Sequence, residues 1–401
     1  MRVGFDATIL GPSTRYSGIG QYSLKLLNDL ADVDGSNEYL LYGPPECPRP
    51  AGLHGDLRWK PLSRPPLGKL SAFASFMWSV PRLVETDRLD LFHAPTVHPR
   101  ASWPPVPRRI RCPLVVTLHD LIPLTYYSQP PHKMPLRSRL FYRWNLRAAV
   151  GADLVITVSD ASRREILSEL SINESRVHTI YNGVNAPSRT QGGAPGRGLF
   201  GTDQPYVLYV GSFEPRKNLL RLIRAYTRAV RDGLQCHLAV VADPGSGQTA
   251  EVESELASSG LGKSVHFLRG VSEQDLWKIY ACADLFVFPS LAEGFGLPPL
   301  EAMAAGTPVI ASDIPALREV LGDAAYFVDP RSEDDLAFAL LELSNNVARR
   351  DQLAEAGLSR AGLYTWRDCA EKTLAAYEKV VKERLTCDRV EMRRFEGAGV
   401  E

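Results

Sequence analysis

Short apolar runs alternate with longer stretches of helical period along most of this chain. In the first half the strand-like runs are Arg2–Asp6, Tyr39–Tyr42, Leu89–His93, Leu114–Leu118, Leu154–Val158 and Val177–Ile180. Between them, near 20–31, 70–86, 134–150 and 160–170, apolar residues recur with the period of a helix that buries one face. The alternation then breaks. Residues 185–204, NAPSRTQGGAPGRGLFGTDQ, are rich in Gly, Pro, Ser and Thr and have no apolar period, which is the composition of a linker. Beyond it strands return at Tyr206–Val210, Cys236–Val241, Val265–Leu268, Leu285–Phe288 and Pro308–Ala311. Helical patterns lie between them at 217–231, 272–282 and 298–305, and a last amphipathic one covers 366–384. Strands that alternate with helices predict a parallel sheet covered on both faces. Two such series predict an α/β chain of two Rossmann-like, doubly wound domains facing a cleft. The expected bounds are 1–188 for the first domain, completed by a helix within 366–401, then 189–203 for the linker and 204–365 for the second domain.

Length agrees with this division, because 401 residues exceed one comfortable core. The composition, 44% hydrophobic and 23% charged, is that of an ordinary folded protein. Net charge is zero, so no global field favours nucleic acid, but residues 1–190 hold 23 Lys and Arg against 16 Asp and Glu. A basic first half suits an anionic surface or substrate, or is simply an uneven solvated surface. The six cysteines form no CxxC pair, so neither a disulfide framework nor a zinc ribbon is expected. Thiols in a reducing, cytoplasmic compartment fit best. Residues 1–10 read as a first strand and lack the apolar core of a signal peptide. The eight histidines show no metal-ligand spacing, and no metal or cofactor is expected. Asp32-Val33-Asp34 has a metal-binding spacing but is followed by GSNE, which reads as a solvated turn.

Ligands of open α/β sheets bind outside the carboxyl ends of strands, so the loops after strands carry the candidate chemistry. After the first strand, Gly18 and Gly20 open a helix, where amide N–H groups favour an anion. A dinucleotide fingerprint would need a third glycine at the position of Ser23 and a tighter turn. His119 and Asp120 follow the run Leu114–Leu118. They read as a substrate contact or as a turn cap. In the second half a strand ends at Gly211, and Arg216 and Lys217 stand at the predicted start of a helix. Cations are disfavoured there unless an anion joins them, Arg and Lys both bind phosphate, and Asn218 reads as a local cap. The stretch 293–301, EGFGLPPLE, follows another strand and opens another helix. Pro298 and Pro299 lack N–H groups and are tolerated in a first turn. That leaves the amides of Phe295, Gly296, Leu297 and Leu300 as a nest suited to phosphate. Phosphate would repel a carboxylate, so Glu293 and Glu301 are expected to face hydroxyls. Phosphates between two polyols describe a sugar nucleotide.

At these residues the sequence resembles the retaining glycosyltransferases of GT-B architecture, within them the mannosyltransferase and glucosyltransferase branch that shares the E-x7-E motif, here Glu293 and Glu301. The resemblance covers nearly the whole chain. It implies that Lys217 contacts the donor diphosphate with Arg216 beside it, and that Glu301 holds the ribose. It implies that Glu293 lies near the donor sugar, Phe295, Gly296 and Leu297 give backbone donors, and His119 meets the transferred sugar. Gly18 and Gly20 match the first glycine-rich loop, and Gly270 and Val271 are implied to lie near the base. Many members carry an arginine where this chain has Ser212, and Arg216 is the substitute. The implied activity is metal-independent, retaining hexose transfer to a glycan or lipid-linked acceptor in cell-surface polysaccharide or glycoconjugate synthesis. Mannose from GDP-mannose stands first. A UDP-sugar-dependent glucosyltransferase, a nucleotide-sugar epimerase of the same fold and an assembly subunit without catalysis are the alternatives. The segment 132–147, HKMPLRSRLFYRWNLR, has five Lys and Arg and no acid. It suits peripheral contact with an anionic inner membrane face, or is a buried helix with its arginines in water.

Overall fold

The apolar runs form two parallel sheets. The computed structural model describes the chain except residues 12–13, 15–16, 45–46, 63–78, 98–105, 108–109, 186–203, 243–247 and 398–401, and the side chains from 387 onward. The expected linker 189–203 and part of the helical pattern at 70–86 lie outside the described residues. The chain divides into two units, 1–183 with 366–401, and 184–365. The second unit thus begins ahead of the linker. The Val184 N–H already pairs with the Tyr364 carbonyl at 3.0 Å.

The first unit holds β1 (Arg2–Asp6), β2 (Glu38–Gly43), β3 (Leu57–Pro61), β4 (Leu91–Ala94), β5 (Leu114–Thr117), β6 (Leu154–Thr157) and β7 (Val177–Thr179). Their order is β3-β2-β1-β4-β5-β6-β7, all parallel. The central strands are buried along almost their whole length, as expected for a sheet with helices on both faces. The pattern did not predict β3. Its sequence LRWKP buries only Leu57 fully and lies at a sheet edge, so its apolar signal is thin.

Helix Trp366–Gly397 returns to this unit and packs on helix Gly18–Val33. A buried chain of hydrogen bonds anchors it. The Tyr377 hydroxyl lies 2.5 Å from His93 Nδ1, His93 Nε2 lies 2.8 Å from Thr117 Oγ1, and Thr117 Oγ1 lies 3.1 Å from the Tyr22 hydroxyl. All four residues are essentially inaccessible. A buried polar group without a partner costs several kcal/mol, so these partners fix the helix in one register. Helix Leu136–Val150 buries Tyr142, Asn145, Leu146, Ala148 and Ala149 and turns Arg137, Arg143 and Arg147 outward. Leu136 and Leu140 stay exposed beside them.

The second unit holds β8 (Tyr206–Val210), β9 (His237–Val241), β10 (Val265–Leu268), β11 (Leu285–Phe288), β12 (Val309–Ser312) and β13 (Tyr326–Val328). Their order is β10-β9-β8-β11-β12-β13, again all parallel. Helix Leu219–Arg231 shows why the sequence folds this way. Leu219, Leu222, Ile223, Tyr226 and Ala229 recur at helical spacing and join the core with Val207, Val240 and Val287. Its arginines Arg224 and Arg228 face Glu255 and Asp334. In the first unit, the Asp-x-Asp read as a solvated turn keeps Asp32 exposed, whereas Asp34 is a structural turn residue. It is buried and accepts from Ser36, Asn37 and Tyr39, while Gly35 and Ser36 beside it are exposed.

Candidate functional site

In the second sheet β8 is followed by β9 on one side, whereas β11, its neighbour on the other side, is followed by β12 further out. The loops after β8 and β11 therefore diverge, which makes their carboxyl ends the switch point where open α/β sheets bind ligands. Both acid- and cation-bearing segments named above leave from these two strands.

After β8, Arg216 and Lys217 lie in a 3-10 turn, Pro215–Lys217, and the helix starts only at Leu219. The expected placement of both cations in a helix start is corrected. Asn218 intervenes with φ 61° and ψ 27°, a left-handed conformation that breaks the path into the helix. The turn leans on the loop after β11. The Leu291 N–H donates to the Arg216 carbonyl at 2.7 Å. Lys217 Nζ lies 2.6 Å from Glu293 Oε1, and Arg216 Nη1 lies 3.2 Å from Glu293 Oε2. Lys217 also stands 4.9 Å from the centre of the Phe288 ring.

Glu293 was expected to face neutral hydroxyls. In the structure it faces the two cations instead. Its side chain is 9% exposed and that of Lys217 is 12% exposed, so neither charge is tolerable alone. Burial opposes the carboxylate, but Lys217 and Arg216 outweigh it and hold the Glu293 carboxyl below its usual range. Burial pulls the Lys217 ammonium below its usual range, against the attraction of Glu293.

The same loop ends at Gly296, with φ 96° and ψ 62°, and helix Leu297–Ala304 begins without a side-chain cap. Phe295 is 4% exposed and meets Tyr364 edge-on, so its side chain belongs to the core and only its backbone can serve a ligand. Glu301 lies one turn inside the helix, where the Tyr280 hydroxyl donates to its Oε2 at 3.0 Å. Ser212 Oγ accepts from the Glu214 N–H at 3.4 Å. Gly270, with φ 62°, and Val271 lie between β10 and helix Glu273–Cys282, the helix that carries Tyr280. The structure thus brings Arg216, Lys217 and Glu293 into contact. Glu301 and the Gly270–Val271 turn are linked to each other through Tyr280 and its helix. Sequence reasoning missed Tyr280 and took Asn218 for a local cap, whereas the Asn218 side chain makes no cap hydrogen bond. The apolar pattern could have flagged Tyr280, since it lies in the helical run 272–282 three residues after Trp277.

In the first unit Gly18 begins its helix, but the Gly20 N–H donates to the Ser17 side chain at 3.1 Å. Ser17 was readable as a cap, and it removes Gly20 from the anion donors expected there. His119 Nε2 lies 3.0 Å from the Pro95 carbonyl. A carbonyl only accepts, so Nε2 carries the proton and Nδ1 is left as an acceptor. Burial pushes His119 down to about 4 and the deeper His93 down to about 3, so both rings are neutral near pH 7. Tyr22 stands edge-on to His119 at 4.7 Å. Asp120 accepts from the Ile122 N–H at 3.0 Å and so caps the turn.

Asp6, at the end of β1, is buried, and burial raises its carboxyl to about 6 although Thr8 donates to it twice. A folded-state value above the unfolded 3.8 means that acidification between about 6 and 4 favours the fold through Asp6. The two imidazoles act in the opposite sense, because the unfolded chain protonates them from about 6.5. Asp6→Asn removes the opposing contribution. Stability of that variant is expected to fall on acidification more steeply than the parent's, by about 1.4 kcal/mol per pH unit. Urea unfolding at pH 6, 5 and 4.5 reads this directly, and parallel slopes would contradict the burial of an Asp6 acid.

Among the described residues no helix is long and apolar enough to cross a membrane, and no group of three or more His, Cys, Asp or Glu is placed to hold a metal ion.

Comparison with known proteins bears on both units. Residues 195–360 match the family described as glycosyl transferases group 1, and residues 16–186 match the one described as glycosyltransferase family 4. The chain is 28% identical over 383 residues to O-antigen chain mannosyltransferase B of Escherichia coli, covering 90% of this chain and 96% of that protein. It is 30% identical over 287 residues to an MMP alpha-(1->4)-mannosyltransferase of Mycolicibacterium hassiacum, covering 69% and 67%. Among solved structures, sucrose-phosphate synthase of Thermosynechococcus elongatus superposes with a TM-score of 0.76 at 22% identity, over 96% of this chain and all of that one. Anabaena HepE in complex with UDP and glucose superposes with a TM-score of 0.70 at 19% identity, over 94% of this chain and all of that one. At these identities the superpositions speak for the GT-B fold alone.

Proposed function

Because the chain belongs to the glycosyl transferases of group 1, we propose that it moves a hexose, with retention and without a metal, from a nucleotide sugar to a glycan or lipid-linked acceptor in cell-surface polysaccharide synthesis. Mannose from GDP-mannose is the first choice, supported by the mannosyltransferases among its relatives. The observation that carries the reading is the pair Arg216 and Lys217, buried against Glu293 at the β8–β11 switch point. Two cations in such a place serve a polyanion, and the start of helix Leu297–Ala304 adds its partial positive charge.

In this proposal Lys217, Arg216 and the amides of Gly296 and Leu297 hold the donor diphosphate. Glu301, oriented by Tyr280, accepts from the ribose hydroxyls, and Gly270 and Val271 border the base. Ser212 lines the phosphate loop. Glu293 exchanges its cations for sugar hydroxyls as the diphosphate arrives. His119 offers its unprotonated Nδ1 to a hydroxyl of the transferred sugar. The bond from the anomeric carbon to the diphosphate oxygen then breaks, and the acceptor oxygen bonds to that carbon from the same face. The acceptor's proton goes to the departing phosphate oxygen. Fixed cations and dipoles stabilise the charge that develops there. Anionic membrane contact through 132–147 belongs to the same reading, with exposed Arg137, Arg143 and Arg147 beside Leu136 and Leu140.

A thermal-shift series with GDP, UDP and ADP and their sugars tests the donor. The matching base is expected to raise Tm most, by mass action, with no shift from a nucleotide-free sugar. A donor incubated alone should stay unchanged. Conversion without acceptor would favour the epimerase, and no shift from any nucleotide would remove the proposal.

A further inference from the structure

We propose that Asn218 is the positioning residue that sets Lys217 for the diphosphate. The inference rests on the reading of Lys217 as a phosphate ligand. Asn218 is 5% exposed and combines two constraints that a helix start does not ask for. Its backbone is left-handed, with φ 61°. Its side-chain amide donates to two carbonyls of separate strand-end loops, Pro289 after β11 at 2.9 Å and Pro330 after β13 at 2.7 Å. Its Oδ1 accepts from Arg221 Nη1 at 2.8 Å, and the same Nη1 lies 3.2 Å from the Pro330 carbonyl.

Few residues satisfy both constraints. Asn adopts the left-handed region more readily than other residues with a side chain, and its amide supplies two N–H donors with one acceptor. Gly would keep the backbone and lose the clip. Asp would set a carboxylate against two carbonyl oxygens. The left-handed turn reverses the chain immediately after Lys217, so the ammonium is held over the β11 loop rather than carried into helix Leu219–Arg231. The clip ties that reversal to Pro289, four residues before Glu293, while Leu291 N–H to Arg216 O ties the other side. Lys217 and Glu293 are thereby held in one register by bonds that touch neither charge.

The test compares a nucleoside diphosphate with its nucleoside, because a residue that acts through Lys217 affects only the ligand with phosphates. Affinities of GDP and guanosine, and of UDP and uridine, are measured for the parent, Lys217→Ala, Asn218→Gly and the double variant, with circular dichroism and Tm recorded for each. In Asn218→Gly the diphosphate is expected to bind about tenfold more weakly and the nucleoside as before. In the Lys217→Ala background the same Asn218→Gly change should have no further effect on diphosphate binding. Equal loss for nucleoside and diphosphate would mean general disorder of the unit and would overturn the proposal. So would an undiminished diphosphate affinity in Asn218→Gly, or additive losses in the double variant. Lys217→Ala with unchanged diphosphate affinity would instead remove the underlying reading of Lys217, and the proposal with it. Asn218→Asp keeps the side chain's size and its tolerance of positive φ but loses the donors, so it should lose affinity at least as far as Asn218→Gly.

Discussion

Lys217→Ala is expected to lower stability by about 3 kcal/mol and to weaken donor binding at least about tenfold at the same time. The stability loss follows from burial. Lys217 and Glu293 meet at 2.6 Å with side chains 12% and 9% exposed, and removing one partner of a buried pair costs roughly 3–5 kcal/mol. Arg216 remains as a second cation at 3.2 Å, which places the cost at the low end. The opposite substitution separates fold from function. Glu293→Gln releases both cations from their carboxylate and is expected to bind a nucleoside diphosphate more tightly than the parent, while sugar transfer falls. The double variant Lys217→Ala/Glu293→Gln removes both charges and should be more stable than Lys217→Ala alone, because no uncompensated buried carboxylate is left. Urea unfolding with unchanged m-values reads the stabilities. A double variant that is merely the sum of the two singles would contradict the coupling.

Gly296→Ala is the second large effect. At φ 96° and ψ 62° the backbone is outside the range an alanine adopts comfortably. A Cβ there would also stand 2.4 Å from Leu317 Cδ2 and 3.3 Å from Pro299 Cγ. Backbone strain of about 1–2 kcal/mol and overpacking of about 1–3 kcal/mol give a total of roughly 3 kcal/mol. The helix start would shift with it, so kcat/KM for the donor is expected to fall about 100-fold, the cost of a misplacement of about 1 Å. Leu317→Ala in the same chain removes the clash but leaves the strain, so the combination should recover part of the stability beyond what Leu317→Ala alone costs. Parent-like stability and kcat/KM in Gly296→Ala would show that the loop adopts another path.

Both effects turn on features that the sequence shows unevenly. Most strands were legible because each is a short apolar run between breakers, and the structure keeps β8, β10 and β11 at the predicted residues. Strands β3 and β13 were not, since β3 buries only Leu57 fully and the three-residue β13 only Val328. Helices Glu333–Asn345 and Val347–Ala361 escaped a periodicity search, although Ser332 with Asp335, and Asn346 with Arg349, carry the caps that start them. The E-x7-E spacing marked the loop and the helix after it, and the cations were read separately from the stretch after β8. It did not reveal that those cations hold Glu293. That depends on β8 and β11 being adjacent although 74 residues lie between the end of β8 at Val210 and the start of β11 at Leu285, and no local pattern reports strand order. Asn218 reads only as a local cap for a related reason. Its role lies in two carbonyls supplied by distant loops.

The central claim is that the second unit binds a sugar nucleotide through Lys217 and Glu301. Calorimetric titration of GDP and of UDP into the parent, Lys217→Ala and Glu301→Ala tests it most directly. Saturable binding of one nucleotide to the parent, weakened at least about tenfold in each variant, is the predicted result. Equal affinity in all three proteins, or no binding of either nucleotide to the parent, would contradict it.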